Sequence, residues 1–249
     1  LPSLKERKFT MVVVDEAGLV EETQLSIPIS LGPDKLVLVG DEYQMAARQV
    51  TNEGKRLGVL SAFHRMVKSG VVKPSMLMEH WRMCRACIQP VNAVFYNGML
   101  TVADEVESSR VNDLKRCGLF KRPDRPTMWI DVKGKESHPT GVHEKSTKND
   151  KEADVCAWLA KWILGKAAGE LQQEDVVIIA SYSAQVERVT AALRELDLTK
   201  IEVGTTEKWQ GGEKKIVIVS TTRTKYGMRG DFIADPGKIC VGNSRCTHA

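Results

Sequence analysis

The sequence predicts an α/β fold built on parallel β-sheet, and three observations carry that expectation. Short runs of β-branched and apolar residues recur along the chain, helical periodicities lie between them, and polar stretches rich in Gly, Pro and Ser punctuate the alternation. The runs are Met11 to Val14, Leu36 to Val39, Met128 to Val132, Val176 to Ala180 and Ile216 to Val219, each apolar enough to read as a buried strand. Between them Val155, Trp158, Leu159, Trp162 and Ile163 fall at helical spacing, Val186, Val189, Leu193 and Leu196 repeat the idea, and Leu60, Phe63, Met66 and Val67 form an earlier helix. Asn149-Asp150 supplies a cap for the helix through Val155, with Gly165 and Gly169 as terminators. Asp104 to Asp113 and Gly134 to Asp150 read as loops, and GVVKPS at Gly70 to Ser75 reads as a domain boundary.

Composition narrows the class. Thirty-six Lys and Arg against 32 Asp and Glu leave +4 over 249 residues, and 42% of the residues are hydrophobic, which excludes a disordered or strongly charged chain. The longest apolar runs fall far short of the roughly 18 residues of a membrane-crossing helix, so no membrane association is expected. No secretory signal is visible in LPSLKERKFT. Six cysteines without finger-like spacing read as reduced thiols of a cytoplasmic or nuclear protein; Cys84-x-x-Cys87 alone is at most half a zinc site. A charge of +4 permits a nucleic-acid partner without demanding one.

The chemistry-bearing residues sit at strand ends. VVVDEAG places Asp15 and Glu16 at the C-terminal edge of a parallel strand, where α/β sheets bind ligands. There Asp15 suits the hydration shell of Mg²⁺ and Glu16 suits orienting an attacking water; the plainer reading is an acidic turn. LVLVGDEYQMA presents Gln44 three residues past Asp41, and an amide can both donate to a phosphate oxygen and accept from water. Two strands of one sheet would bring Asp15, Glu16 and Gln44 to one edge.

VVVDEAG resembles helicase motif II, VLVGDEYQMA motif III, MEHWRM at Met78 to Met83 motif IV, VGTTEKWQGGEKKIVIVSTTRT at Val203 to Thr224 motif V, and DFIADPGKICVGNSRCTHA motif VI. With these motifs in order over nearly its whole length, the chain resembles superfamily 1 helicases of the Upf-like branch. The resemblance implies two RecA-like parallel-sheet lobes, the first incomplete: residues 1–76 with motifs II and III, and residues 77–249 with motifs IV to VI. It implies ATP and Mg²⁺ as cofactors, ATP hydrolysis at the cleft between the lobes, and single-stranded RNA or DNA as partner, RNA placed ahead of DNA, with protein partners possible.

Residue by residue, the resemblance implies that Arg82 and Arg245 reach the γ-phosphate, with Arg85 a rival to Arg82. Trp81 would stack on adenine, Glu213 would accept from the ribose, and Gly211 beside Gln210 would shape the turn. Thr205, Thr206, Tyr182 and Gln185 would meet the nucleic acid. Trp81 replaces the family's Tyr, the motif III proline is absent from QMAARQ, and Gly242 and Asn243 replace Ala-Leu in motif VI. No GxxxxGK[ST] occurs, and Gly165-Lys166 lacks its context, so the expectation is that the chain begins after the phosphate loop and that this segment alone is inactive. The alternative is a helicase-like scaffold that binds nucleic acid or protein without turnover; a RecA-like motor that does not unwind shares the same residues.

Overall fold

A computed structural model describes residues 7–47, 61–139, 146–224 and 234–249, and the chain divides into two compact units, residues 1–76 and 77–249. In the first, β1 (Met11–Val14) and β2 (Lys35–Leu38) pair in parallel, Met11 opposite Lys35. A crossover between them holds a 3-10 turn (Ala17–Leu19) and helix α1 (Glu22–Ile29), capped by reciprocal bonds between Glu21 and Gln24. Helix α2 (Ala62–Ser69) begins at Ser61, whose Oγ accepts from the His64 amide, and ends at Gly70 in the left-handed conformation that only glycine adopts without strain. Both strands differ from the buried expectation: Met11, Val13 and Val37 are exposed, with the intervening positions half-buried. Leu60 of the expected helix lies outside the described residues, as do positions 48–49 of the motif III segment.

The second unit opens with a short parallel pair, β3 (Glu79–His80) against β4 (Thr101–Val102), joined through helix α3 (Arg85–Phe95). Helix α4 (Asp104–Cys117) occupies the stretch that read as a loop. Its periodicity is faint because only Val106 and Leu114 are buried, yet three acids in its first turn and two bases in its last oppose the helix dipole, and Gly118 closes it in the left-handed region. The expected strand at Met128–Val132 has no strand pairing, and Trp129 stands 80% exposed. Of the loop expected over Gly134 to Asp150, Ser137 and Lys148 form an antiparallel bridge, Asp150 starts the next helix, and positions 140–145 are outside the described residues.

The principal sheet runs β6 (Glu202–Thr205), β5 (Val176–Ala180), β7 (Ile216–Ser220), all parallel, as the βαβ alternation requires. All five residues of β5 are buried. One of its faces, Val176 and Ile178, packs into a cluster with Ala153, Ala157, Ala160 and Ile163 of helix α5 (Asp150–Lys166) and with Val189, Ala192 and Leu193 of helix α6 (Ser183–Glu195). The other face, Val177 and Ile179, packs on Trp209. Asn149 caps α5 as its sequence suggested, its side chain accepting from the Glu152 amide at 3.2 Å. Gly165 lies within this helix, so termination falls at Ala167 and at Gly169 with φ +96°. Helix α7 (Pro236–Gly242), capped by Asp235, completes the unit; Asp231 to Ile233 before it are outside the described residues.

This packing predicts a contrast on one sheet. Ile178→Ala should lower unfolding stability by about 2–5 kcal/mol, whereas Val219→Ala at the 41% exposed position of β7 should cost under about 1 kcal/mol. Urea titration followed by far-UV circular dichroism reads both, and equal losses would contradict the core described.

Candidate nucleotide and nucleic-acid sites

In the first unit the two strands deliver their polar residues to one edge. Val39 N–H donates to Val14 O at 2.8 Å and Ala17 N–H to Val39 O at 2.8 Å, so the segments leaving β1 and β2 stay side by side beyond the ladder. Asp15 and Glu16 emerge exposed there, the Asp15 Oδ1 accepting the Glu16 amide at 2.9 Å. Glu16 holds φ 50° and ψ 39°, a left-handed conformation that costs a non-glycine residue free energy and recurs at functional sites. Asp41 gathers the next loop, accepting from Tyr43 N at 3.0 Å and from Gln44 Nε2 at 2.9 Å. Gly40 allows a close approach of the two loops: a Cβ would lie 3.2 Å from Gly18 N, a tight contact. Asp15, Glu16 and Gln44 therefore occupy neighbouring loops at one sheet edge. Hard carboxylate oxygens such as those of Asp15 are the donor type that Mg²⁺ takes.

In the second unit, residues far apart in sequence converge on Arg82. Its Nε donates to Glu213 Oε2 at 2.6 Å and its Nη1 to Ser244 O at 3.1 Å, joining the turn after β3, the turn before β7 and the segment after α7. Arg85 points elsewhere, its guanidinium bonding Asp104 at 2.7 Å while its amide donates to Glu107 at 2.6 Å. Arg245 is only 2% exposed, with Nε on Val241 O at 3.1 Å and Nη2 on Ser244 Oγ at 2.7 Å, so contact with a phosphate requires it to leave these partners. Trp81 is 57% exposed with its indole N–H on Glu79 at 3.0 Å, an open face for stacking. Gly211 has φ +80°, the turn conformation its sequence position called for.

The turn carrying Arg82 is fixed by His80, a residue the motif comparison passed over. Its Nε2 accepts from the Met83 amide at 2.9 Å, and burial together with the Arg82 and Arg245 guanidinium groups pushes its imidazole down to about 4. Only a neutral ring can accept that bond, so the depressed value and the geometry agree. Its signal in the sequence was position alone, two residues before Arg82 at a strand end.

A second feature, a cleft of about 610 Å³, opens at the C-terminal edge of the principal sheet, lined by Ser181, Thr206, Thr221, Arg223, Lys238 and Trp129 among others. Thr205 ends β6 half-buried, and Thr206, 4% exposed, lines the cleft with its neighbours. Tyr182 is 8% exposed and lies beneath the Arg223 guanidinium, 6.0 Å from its ring centroid. Gln185 differs from the sequence expectation. It is fully buried and committed internally: its Oε1 accepts from Asn149 N at 2.7 Å, and its Nε2 donates to Ser220 Oγ at 3.1 Å and Asn149 O at 3.3 Å. It positions the cleft wall instead of facing a ligand.

Glu152 completes that wall, accepting from Ser220 Oγ at 3.0 Å and Thr222 N at 3.0 Å. The network holds buried Thr222 at φ 69°, a strained conformation for a β-branched residue. Arg223 and Lys238 were not singled out from sequence, although Arg223 stands in the VSTTRT segment directly after β7.

The parallel α/β architecture is that of a partial RecA-like fold, and comparison with known proteins agrees. A family profile described as "AAA domain" matches residues 59–249, and a second with the same description matches residues 1–51. The chain belongs to this family, as a superfamily 1 helicase domain of the Upf1-like branch. It is 28% identical over 97% of its length to DNA polymerase alpha-associated DNA helicase A of Schizosaccharomyces pombe, covering 36% of that protein. It is 27% identical over 99% of its length to the DNA replication ATP-dependent helicase/nuclease DNA2 of Xenopus laevis, covering 25% of it. Against the Regulator of nonsense transcripts 1 homolog of Drosophila melanogaster it is 27% identical over 97% of its length, covering 20% of that protein. The chain thus spans about a fifth to a third of the length of these relatives. Among the described residues no helix is long and apolar enough to cross a membrane, and no group of three His, Cys, Asp or Glu could hold a metal ion.

The depressed His80 titration carries a prediction. The unfolded ring titrates near 6.5 and the folded ring near 4, so in this window the unfolded chain binds the extra proton. The stability His80 contributes is present above pH 6.5 and is lost as pH falls toward 4. The thermal midpoint of His80→Gln, which keeps an acceptor but does not titrate, should therefore fall less between these pH values than that of the parent; parallel pH profiles would refute the assignment.

Proposed function

We propose that the full-length protein is an ATP-dependent translocase or helicase acting on single-stranded nucleic acid. The observation that carries the reading is the convergence of Arg82, Glu213 and the Ser244-Arg245 segment, since residues from the fourth, fifth and sixth motifs meet in one electrostatic cluster. Asp15, Glu16 and Gln44 of the first unit and Arg82 and Arg245 of the second serve one ATPase cycle. Glu16 orients and deprotonates the attacking water, and Gln44, held by Asp41, senses the terminal phosphate. Bound at Asp15, Mg²⁺ would neutralise developing phosphate charge.

Arg82, half-buried and already paired to a carboxylate, exchanges Glu213 for phosphate oxygens, and a guanidinium in that role supplies ~10³–10⁵-fold in rate. Release of Arg82 frees Glu213 to accept from the ribose, while Trp81 offers a face to the adenine and Gly211 lets the backbone turn close by.

The cleft with Ser181, Thr206, Arg223 and Lys238 is the proposed path of the strand. Hydroxyls and two cations suit phosphate oxygens, and exposed Trp129 suits stacking on a base. Helix α7 connects the two sites: Gly242 and Asn243 line the cleft, and the next residue, Ser244, receives Arg82. A change in the Arg82 contact is thereby transmitted directly to the strand-binding wall.

Two outcomes test the proposal in the full-length protein. Glu16→Gln should abolish ATP turnover while leaving ATP binding near the parent level; undiminished hydrolysis would overturn the motor and favour a non-hydrolysing scaffold. Affinity for a fluorescent single strand should fall steeply as salt rises from about 50 to 200 mM, because phosphate neutralisation releases counterions, and a flat profile would refute the cleft. Running that titration with RNA and DNA of one sequence decides which sugar is preferred.

A further inference from the structure

Helix α4 touches both arginine-bearing segments, and neither the ATPase chemistry nor the strand path assigns its polar residues a role. Glu107, Arg110 and Asp113 follow one another at steps of three, which places them on a single ridge inclined across the helix. All three are half-buried, and each is engaged with a different residue outside α4. Glu107 Oε2 accepts from the Arg85 amide at 2.6 Å, Arg110 Nε donates to Arg82 O at 3.3 Å, and Asp113 Oδ2 lies 3.1 Å from His248 Nε2.

The first two contacts fall on the turn that carries Arg82, which joins the end of β3 at His80 to the start of α3 at Arg85. Its backbone is held at Arg82 O by Arg110, at the Met83 amide by His80 Nε2 at 2.9 Å, and at the Arg85 amide by Glu107. His80 is tied in turn to the start of α4, its carbonyl accepting from the amide of the N-cap, Ala103, at 3.2 Å. The Arg82 guanidinium is held by other groups altogether, Glu213 and Ser244 O. Backbone and side chain of this one residue therefore have separate anchors. An arginine whose side chain changes partners keeps its aim only if its backbone stays in place.

We propose that α4 is the brace of the Arg82 turn, with Arg110 and Glu107 as positioning residues that keep its backbone fixed while the guanidinium passes from Glu213 to a phosphate oxygen. The consequence for ATP turnover rests on the ATPase reading above; the brace itself does not. Arg110 suits its place because a guanidinium is permanently charged and its bond to the half-buried Arg82 carbonyl is charge-assisted. Glu107 acts at the first amide of α3, one of the helix N-terminal donors that lack an intrahelical partner, where negative charge is favourable. Asp104 is the weak member of the row: its side chain is 92% exposed, and a solvated ion pair such as that with Arg85 contributes little. Asp113 extends the brace by tying His248, three residues beyond Arg245, to the same helix.

The test compares the full-length parent with Arg110→Ala, Arg110→Lys and Glu107→Ala by amide hydrogen exchange and by steady-state ATP hydrolysis. Exchange of the Met83 amide, whose partner is His80 and not a substituted residue, should accelerate roughly 10-fold or more in both alanine variants, while the β5 amides keep the parent rate. In the same variants kcat should fall roughly 10-fold or more with KM for ATP near the parent value, the pattern of a group that acts in the transition state. Arg110→Lys retains a charged donor and should recover part of both. Parent-like exchange at Met83 in Arg110→Ala overturns the brace, and so does acceleration shared by β5, which would mean that Arg110 holds the whole unit. Faster exchange at Met83 with no loss of kcat overturns the coupling to Arg82. Exchange is read without nucleotide, so a parent that does not hydrolyse ATP refutes the motor while the exchange result still decides the brace.

Discussion

Burial of β5 is the constraint on which the second unit depends. Five consecutive apolar residues leave no face for water, so the strand must be flanked by strands and covered on both sides. Pairing to β6 and β7 satisfies its backbone, α5 and α6 cover one face, and Trp209 covers the other. With the three strands locked in parallel, Ser181, Thr206 and Thr221 come to one edge without any contact among themselves having to specify it.

That edge needs more than apolar packing, because its strand ends carry polar backbone into a covered region. Asn149, Glu152, Gln185 and Ser220 settle this with mutually satisfied bonds. A buried polar network specifies a unique arrangement when every member is paired, and here it also maintains the strained backbone of Thr222. The Arg82 cluster follows a different logic: it is half-exposed, held by single bonds to Glu213 and Ser244 O, and so open to exchange with a ligand. α7 and the residues directly after it touch both places: Gly242 and Asn243 line the cleft, and Ser244 O accepts from Arg82.

How much of this was legible varied with how local each cause is. β5 was readable to the residue, because a fully buried strand writes its environment into every position. Met128–Val132 is also largely apolar, though interrupted by Asp131, and it has no strand partner. Helix α4 was hidden because its helicity draws on terminal charges and two buried anchors, too few for a periodicity. At the sites, position near a strand end pointed to Asp15, Glu16 and Gln44, which lie on adjacent loops leaving β1 and β2. The family resemblance, by contrast, implied a nucleic-acid contact for Gln185, whose amide is spent on Asn149 and Ser220.

The sequence by itself determined the α/β class, strands β1, β2, β5 and β7, the Asn149 cap, and the ordered motifs that identify the family, because these rest on residues adjacent in the chain. Tertiary structure alone decided that Arg82 faces Glu213 while Arg85 faces Asp104, that Arg245 is buried, and that the Cys87 thiol meets the His248 carbonyl. Those outcomes depend on groups as many as 162 residues apart in the chain, as for Arg82 and Ser244. No local pattern encodes such distances; they are fixed only when the sheet sets its strand ends side by side.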